Sequence, residues 1–200
     1  GEFFGAVRNL GRWGALVCFL QAACSITFYA AFSYTSVANV LVIFACMPLI
    51  AAVLSKVIFG EEISSATRWA ILGAALGLII VASGSLGSIQ WFGDSLALLN
   101  AVLLALIFTI IRGRREINMI PAAGIGLLLT ALVATIFAQY PVMDYIQWFS
   151  LVFAGLVLLP LGLVLMTLGP RYLPAPEVAM ISLLEAVLGP LWVWWVIGEN

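Results

Sequence analysis

The chain has 200 residues with 64% hydrophobic and 8% charged residues, a net charge of −1 and a mean hydropathy of +1.20. A soluble domain carries about 25% charged residues, so this composition argues against a water-soluble globule, a disordered chain and a nucleic-acid-binding protein. The high hydropathy and low charge predict a polytopic membrane protein. Three cysteines within apolar stretches and no histidine argue against a disulfide scaffold and a zinc site.

Seven apolar segments are each long enough to cross a bilayer, which takes about 20 helical residues. They are Trp13–Ser33, Val37–Phe59, Thr67–Leu86, Ser95–Arg112, Met119–Ala138, Trp148–Leu168 and Ala175–Ile197. Asp94 is placed to cap the fourth span with its carboxylate, and Pro121 suits the first turn of the fifth. The fold class predicted is all-α, a transmembrane helix bundle.

The basic residues orient these seven spans, because all eight fall on connections at one face of the bundle. They are Arg8, Arg12, Lys56, Arg68, Arg112, Arg114, Arg115 and Arg171. By the positive-inside rule this face is cytoplasmic, which predicts an integral protein of the cytoplasmic (plasma) membrane. A missed or extra span would scatter the charges over both faces, so the bias also supports the count of seven.

A weak internal repeat relates the second span to the seventh. At an offset of 138 residues the identical pairs are Tyr34/Tyr172, Val40/Val178, Ile43/Ile181, Gly60/Gly198 and Glu61/Glu199. Five spans lie between the two starting points, so the two copies cross the membrane in opposite directions. This pattern predicts an inverted-topology repeat of five helices, a device by which transporters expose one central site to either side.

The residues of these spans resemble a known family. The segment SVANVLVIFACMPLIAAVLSKVIFGE (36–61) resembles the fourth helix of EamA-type transporters, in the drug/metabolite transporter superfamily. The segment LPAPEVAMISLLEAVLGPLWVWWVIGE (173–199) is similar to the ninth helix, and 67–84 and 93–112 are similar to the fifth and sixth. The resemblance implies ten helices in two inverted repeats of five, with both termini in the cytoplasm.

On that template the chain covers helices three to nine. Residues 1–92 are then the C-terminal part of the first EamA-type repeat, and residues 93–200 are most of the second repeat without its last helix. The resemblance also implies efflux of small metabolites or drugs, with no catalytic residue, cofactor or metal. The partners expected are the lipid bilayer, a small solute and protons as a coupling ion, with the oligomeric state left open.

Two other classes of function compete with a secondary transporter that works by alternating access. A seven-span receptor or scaffold does not need mirror-related halves, so the repeat argues against it. An intramembrane enzyme needs a nucleophile and base, or metal ligands, at membrane depth. Glu185 is the one acidic residue deep in a span, and a lone carboxyl does not favour an enzyme.

Glu185 is the first candidate for the substrate path. It lies at the middle of the seventh span, where a carboxylate costs about 2.5–3.5 kcal/mol on insertion scales. Such a group can carry a proton or bind a cationic substrate, and the alternative is a protonated structural carboxyl between helices. Ser182 lies one turn before it and is a second candidate.

Polar residues on the first two spans complete the predicted path. Gln21, Ser25 and Tyr29 recur every four residues and therefore share one helical face. Polar faces avoid lipid, so this face is predicted to look into the bundle, where it either lines the path or hydrogen-bonds neighbouring helices. Asn39, early in the second span, is a further path candidate with packing as its alternative. It aligns with Glu177 in the repeat, at a helix start that favours a carboxylate.

Two prolines lie inside predicted spans, and two glutamates follow the end of the second span. Pro48 and Pro160 lie inside spans, where each removes a backbone hydrogen bond and creates either a helix hinge or a static kink. Glu61 and Glu62 follow the end of the second span, where the helix dipole disfavours anions. Pairing of these glutamates with Lys56 or Arg68 is predicted to compensate.

Overall fold

The computed structural model describes residues 10–62, 64, 65, 67–69, 71–73, 76, 90–137, 143–184 and 188. The described residues form helices and connections and contain no strand. The helices are α1 (Gly11–Tyr34), α2 (Val37–Phe44), α3 (Met47–Phe59), α4 (Trp91–Gly113), α5 (Ile120–Phe137), α6 (Tyr145–Phe153), α7 (Leu159–Tyr172) and α8 (Ala175–Ser182). A π-helical turn, Ala154–Leu158, joins α6 to α7. The predicted all-helical bundle is confirmed.

Five stretches of the described residues are long and apolar enough to cross a membrane. They are Gly11–Tyr34, Asn39–Phe59, Trp91–Gly113, Ile120–Phe137 and Tyr145–Tyr172. They correspond to the first, second, fourth, fifth and sixth predicted spans. Most of the third span and most of the seventh lie outside the described residues.

Local sequence signals set several helix ends. The Ser36 hydroxyl accepts a hydrogen bond from the Asn39 backbone N–H at 3.2 Å and so caps α2. Asp144 and Gln147 form a capping box at the start of α6. Helix α3 ends at Gly60, whose φ of 67° lies in the left-handed region that glycine adopts without strain. Pro121 is the second residue of α5, as predicted.

The predicted cap of the fourth span is wrong. Helix α4 begins at Trp91, four residues before the expected start, so Asp94 lies inside the first turn and not at the N-cap. Its carboxylate accepts a hydrogen bond from the Thr35 hydroxyl at 2.7 Å. The side chain of Thr35, in the connection between α1 and α2, therefore takes the place of the backbone donors that a cap would bind.

Both prolines predicted as hinges lie where a helix changes its hydrogen-bond pattern. Ala45 and Cys46 form a turn that separates α2 from α3, and Pro48 occupies the first turn of α3. Pro160 occupies the first turn of α7, directly after the π-helical turn. Since a proline cannot donate to the carbonyl four residues earlier, both interruptions follow from its missing N–H.

Helix α4 is the centre of the bundle. In α4, 50% of the most apolar 18 residues are buried, against 6% in the α6–α7 stretch, which therefore lies at the edge of the described residues. Ala97, Ala101 and Ala105 recur every four residues on α4 and are each 0% exposed. Such a line of small residues lets neighbouring helices approach closely. Helix α4 packs against α1, α2, α3, α7 and α8, and α1 also packs against α5.

The seven described basic residues lie at one end of the bundle, here called the basic end. The Arg114 guanidinium lies 4.7 Å from the centre of the Trp13 ring. The Arg171 side chain donates a hydrogen bond to the Arg115 carbonyl at 3.0 Å. These contacts bring together the start of α1 and the ends of α4 and α7. The end of α1 and the starts of α2, α4 and α6 form the opposite end.

Candidate functional site

The most deeply buried polar contact between helices centres on Asn100 in α4, which is 1% exposed. Its amide nitrogen donates to the backbone carbonyl of Cys24 and, at 3.1 Å, to the Thr27 hydroxyl, both in α1. Its amide oxygen is buried without a partner among the described residues. The sequence analysis missed Asn100, although an isolated carboxamide inside a long apolar run marks such an interhelical contact.

Helices α1 and α5 touch at Gly126. A Cβ atom added there would lie 2.6 Å from the Cys18 carbonyl oxygen and 2.7 Å from the Cβ of Gln21. Gln21, a predicted path residue, is therefore half-buried at this helix contact. One turn along, the Thr130 hydroxyl donates to the Gly126 carbonyl of its own helix at 3.1 Å.

The other two residues of the predicted polar face of α1, Ser25 and Tyr29, lie outside this contact. Ser25 is half-buried, whereas Tyr29 is 61% exposed. The Tyr29 ring contacts the edge of the Phe28 ring, with centroids 5.6 Å apart. The predicted face thus extends from the α1–α5 contact to the surface of the described residues, and Tyr29 does not lie in their interior.

Asn39 belongs to a polar cluster at the opposite end of the bundle. Its amide nitrogen donates to the Thr35 hydroxyl at 3.2 Å and to the Asp94 carboxylate at 3.3 Å. The approach is tight, because a Cβ added at Gly93 would lie 2.6 Å from the Tyr34 carbonyl oxygen. The cluster ties the start of α2 to the start of α4. Asn39 thus makes the packing contacts that were its alternative interpretation.

Ser182 lies at the last turn of α8. Its hydroxyl donates to the Val178 carbonyl at 2.9 Å and lies 3.6 Å from the Met166 sulfur in α7. Glu185, the first candidate for the path, lies outside the described residues. The predicted path residues that are described occupy three places: the α1–α5 contact and its edge, the opposite end, and the α7–α8 contact.

Comparison with protein families decides the class to which this helical bundle belongs. The model of the EamA-like transporter family matches residues 3–83 and 91–200. The chain belongs to the EamA-like transporter family. No curated protein and no solved structure matches the chain significantly. The protein is therefore a membrane-embedded transporter, as the resemblance of the spans predicted.

The polar contacts of this EamA-like transporter are hydrogen bonds made mainly by oxygen and nitrogen atoms, and they include a sulfur contact between Ser182 and Met166. No group of three or more His, Cys, Asp or Glu residues within the described ranges is placed to hold a metal ion. The described cysteines, Cys18, Cys24 and Cys46, are free thiols. What these helices can do chemically is bind through amide, hydroxyl and carboxylate groups.

The glutamates at the end of α3 do not make the predicted ion pairs. Glu61 pairs with Arg112 of α4, with 2.8 Å between Oε1 and Nε. The predicted partners, Lys56 and Arg68, are both exposed. Arg68 donates to the hydroxyl of Ser65, its close neighbour in the chain. The reason is geometric, since the ends of α3 and α4 meet at the basic end of this EamA-like transporter.

Proposed function

We propose that this chain forms most of a secondary transporter that exports a small metabolite or drug across the cytoplasmic membrane by alternating access. The observation that carries the proposal is the family match to two successive segments, 3–83 and 91–200. The gap between them lies beside the predicted boundary between residues 92 and 93. Two matching segments are what a chain of two repeats would give.

The packing of α3 against α8 supports the same architecture. Ser55, near the end of α3, and Glu177, near the start of α8, line one pocket at the basic end. The two helices therefore run in opposite directions where they touch. Helices four and nine of an inverted repeat would be related in this way, so we propose that the α3–α8 contact is the interface between the two repeats.

In this proposal the solute path follows the polar residues of the first, second and seventh spans. Gln21, Ser25 and Tyr29 line one side, and Ser182 and Glu185 line the other. Asn39 lies at the mouth of the path, where its contact with Asp94 holds the opposite end together. The helix interruptions at Pro48 and Pro160 are the points where half-helices can tilt as the two repeats rock.

Glu185 is the proposed coupling site. A carboxyl at mid-membrane is favoured in its neutral form, so it can bind a proton on one side and release it when the path opens to water. No covalent chemistry is needed, and we propose that the protein is not an enzyme. An exporter of this kind would take up protons as it releases its solute.

The test is transport by the complete protein in liposomes, with and without a pH gradient. Amino acids, nucleosides and cationic drugs form the solute panel, and Glu185→Gln is compared with the wild type. Glu116→Gln is the matched control, because Glu116 lies exposed in the connection between α4 and α5. We expect gradient-driven transport by the wild type and the control, and its loss in Glu185→Gln.

The possible results separate the parts of this proposal. Transport that survives Glu185→Gln and does not depend on the gradient would make the protein a facilitator and Glu185 a structural carboxyl. Solute that is consumed without crossing the membrane would overturn the transporter and favour an enzyme. Protein that folds but moves no member of a broad panel would favour a receptor or scaffold.

A further inference from the structure

A small pocket lies at the basic end, where the end of α3, the start of the third span and the start of α8 meet. Its volume is about 70 Å³. Its lining residues are Ser55, Glu61, Glu62, Ser64, Thr67, Pro174, Pro176 and Glu177. A drug-sized ligand needs a pocket of about 300–1,000 Å³, whereas one water needs only about 10–15 Å³. The pocket therefore suits an ion with its water and is too small for a drug-sized ligand.

The charge of this pocket is negative. Three of its lining residues are glutamates, and of these Glu61 is paired with Arg112. Glu62 and Glu177 form no salt bridge with any described residue. The nearest basic residues along the chain, Lys56 and Arg68, are exposed. The carbonyl end of α3 adds its negative dipole, and the positive start of α8 offsets part of the Glu177 charge. Glu62 has no such compensation among the described residues, so the pocket keeps a negative charge that favours a cation.

Hydroxyl groups supply the remaining polar lining. The Thr67 hydroxyl donates to the Glu177 carboxylate at 3.2 Å, and the Ser64 and Thr67 hydroxyl oxygens lie 2.7 Å apart. Because Glu177 belongs to α8 and Thr67 to the third span, this chain of contacts crosses the helix interface. Oxygen atoms from three elements of the fold thus meet around the pocket.

Ser55 gives independent evidence that something binds there. The residue is 2% exposed, and its hydroxyl has no hydrogen-bond partner among the described residues. Its backbone carbonyl is already used, since it accepts from the Glu61 N–H at 3.2 Å. A serine inside a helix usually bonds to the carbonyl four residues earlier, and a buried hydroxyl without any partner is destabilising. A ligand in the pocket would satisfy it.

The lining selects among cations. Calcium takes 6–8 oxygen ligands and magnesium demands near-octahedral geometry, in both cases with carboxylates in the coordination shell. No three acidic residues within the described ranges converge in such a group. The Thr67 hydroxyl contacts one carboxylate, that of Glu177, and such a set of oxygen atoms suits an ion of lower charge. We propose that the pocket binds one small monovalent cation, with Na⁺ as the probe, between the Ser55 hydroxyl and the Glu177 carboxylate.

Binding at this place would affect the protein beyond the pocket. Residues of α3 and of α8 would contact the same ion, so its occupancy would hold the two helices together at the basic end. If the two helices belong to the two rocking repeats, which rests on the proposed function, the ion favours the state closed at this end. Binding itself requires no transport, so the two proposals fail separately.

The test is thermal unfolding of the purified complete protein in detergent. Tm is measured as NaCl replaces choline chloride at constant ionic strength. We expect Na⁺ to raise the Tm of the wild type by about 2–4 °C and the effect to saturate. In Ser55→Ala and Glu177→Gln the rise should be lost. It should persist in Ser33→Ala, where the hydroxyl bonds to its own helix at the Tyr29 carbonyl, and in Glu116→Gln.

Two further measurements keep the proposal falsifiable if a variant does not fold. Radioactive Na⁺ binding to the wild type should approach one ion per chain and be displaced by unlabelled NaCl. Arg112→Gln removes a positive charge beside the pocket. It should lower severalfold the Na⁺ concentration that gives half of the maximal rise in Tm. Equal Tm in Na⁺ and choline, an unchanged rise in Ser55→Ala, or a response to Mg²⁺ or Ca²⁺ without one to Na⁺ would each overturn the proposal.

Discussion

The Arg112 guanidinium contacts the Glu61 carboxylate at 2.8 Å and joins the end of α4 to the end of α3. Both side chains are partly shielded, with 18% and 27% of their surfaces exposed. We expect a double-mutant cycle of Glu61→Gln and Arg112→Gln to give a coupling energy of about 1 kcal/mol. The free energy of unfolding in mixed detergent micelles with increasing SDS measures it.

The control for this cycle uses an arginine three residues further along the chain that forms no salt bridge with the described residues. Arg115 is exposed, and a cycle of Glu61→Gln with Arg115→Gln should show no coupling. Because surface charges are screened by salt, the Glu61–Arg112 coupling should shrink at high ionic strength. Additive effects of the two substitutions at low salt would contradict the ion pair as a stabilising contact.

The partner of Glu61 illustrates what the sequence could not predict. The helix dipole argument correctly requires a compensating cation at the end of α3, and Lys56 and Arg68 are the basic residues nearest in the chain. Arg112 is 51 positions away, and only the packing of α4 against α3 brings it to Glu61. The helix dipole therefore predicted that a basic residue pairs with Glu61, and the tertiary packing determined that this residue is Arg112.

Asn100 should stabilise the α1–α4 contact. Asn100→Leu keeps the branching of the side chain, although leucine is larger, and removes both amide N–H donors, so we expect a loss of about 0.5–1.5 kcal/mol in the free energy of unfolding. Thr27→Val should lose part of the same energy, since its hydroxyl accepts from Asn100. SDS-induced unfolding, followed by tryptophan fluorescence, measures both.

Thr135→Val is the matched control for Thr27→Val. The Thr135 residue is exposed, and its hydroxyl bonds only to the Leu132 carbonyl of its own helix at 2.7 Å. The same chemical change there should alter stability by less than about 0.5 kcal/mol. If Thr27→Val and Thr135→Val were equally mild and Asn100→Leu were neutral, the buried amide would not hold α1 to α4.

Gly126 should not tolerate a side chain. An added Cβ would lie 2.6 Å from the backbone oxygen of Cys18, and backbone cannot move aside cheaply. We expect Gly126→Ala to lower the free energy of unfolding by about 1–3 kcal/mol. Gly124→Ala is the control in the same helix, since a Cβ there meets no atom within 4 Å. Alanine at position 124 should be neutral or stabilising by up to about 1 kcal/mol, because it favours helix.

Equal effects of the two alanine substitutions would show that α1 and α5 are not in contact at Gly126. A loss of stability in Gly126→Ala that also reduces transport would place Gln21 near the path, since Gln21 lies on the other side of this contact. A loss of stability with unchanged transport would make the contact structural. Measuring both quantities on the same preparation separates the two roles.

The five spans that the described residues show were predictable because each is set by a local property, the length of an apolar run between polar connections. The polar contacts were less so. Spacing along α1 placed Gln21, Ser25 and Tyr29 on one face, but it could not tell which part of that face another helix covers. Helix α5 covers the part near Gln21 and leaves Tyr29 61% exposed. Asp94 likewise follows no local rule, because its donor is Thr35, which lies directly after α1 and 59 positions away in the chain.

The basic end should face the cytoplasm. Eight Lys and Arg residues on one face set this orientation by the positive-inside rule, and the structure brings the seven described ones to one end. Single cysteines replacing Glu116, at the basic end, and Gln90, at the opposite end, report each face, because both residues are exposed. In intact cells a membrane-impermeant maleimide should label Gln90→Cys, and label Glu116→Cys only after permeabilisation. The parent with its native cysteines gives the background labelling, and the reverse pattern would overturn the predicted topology.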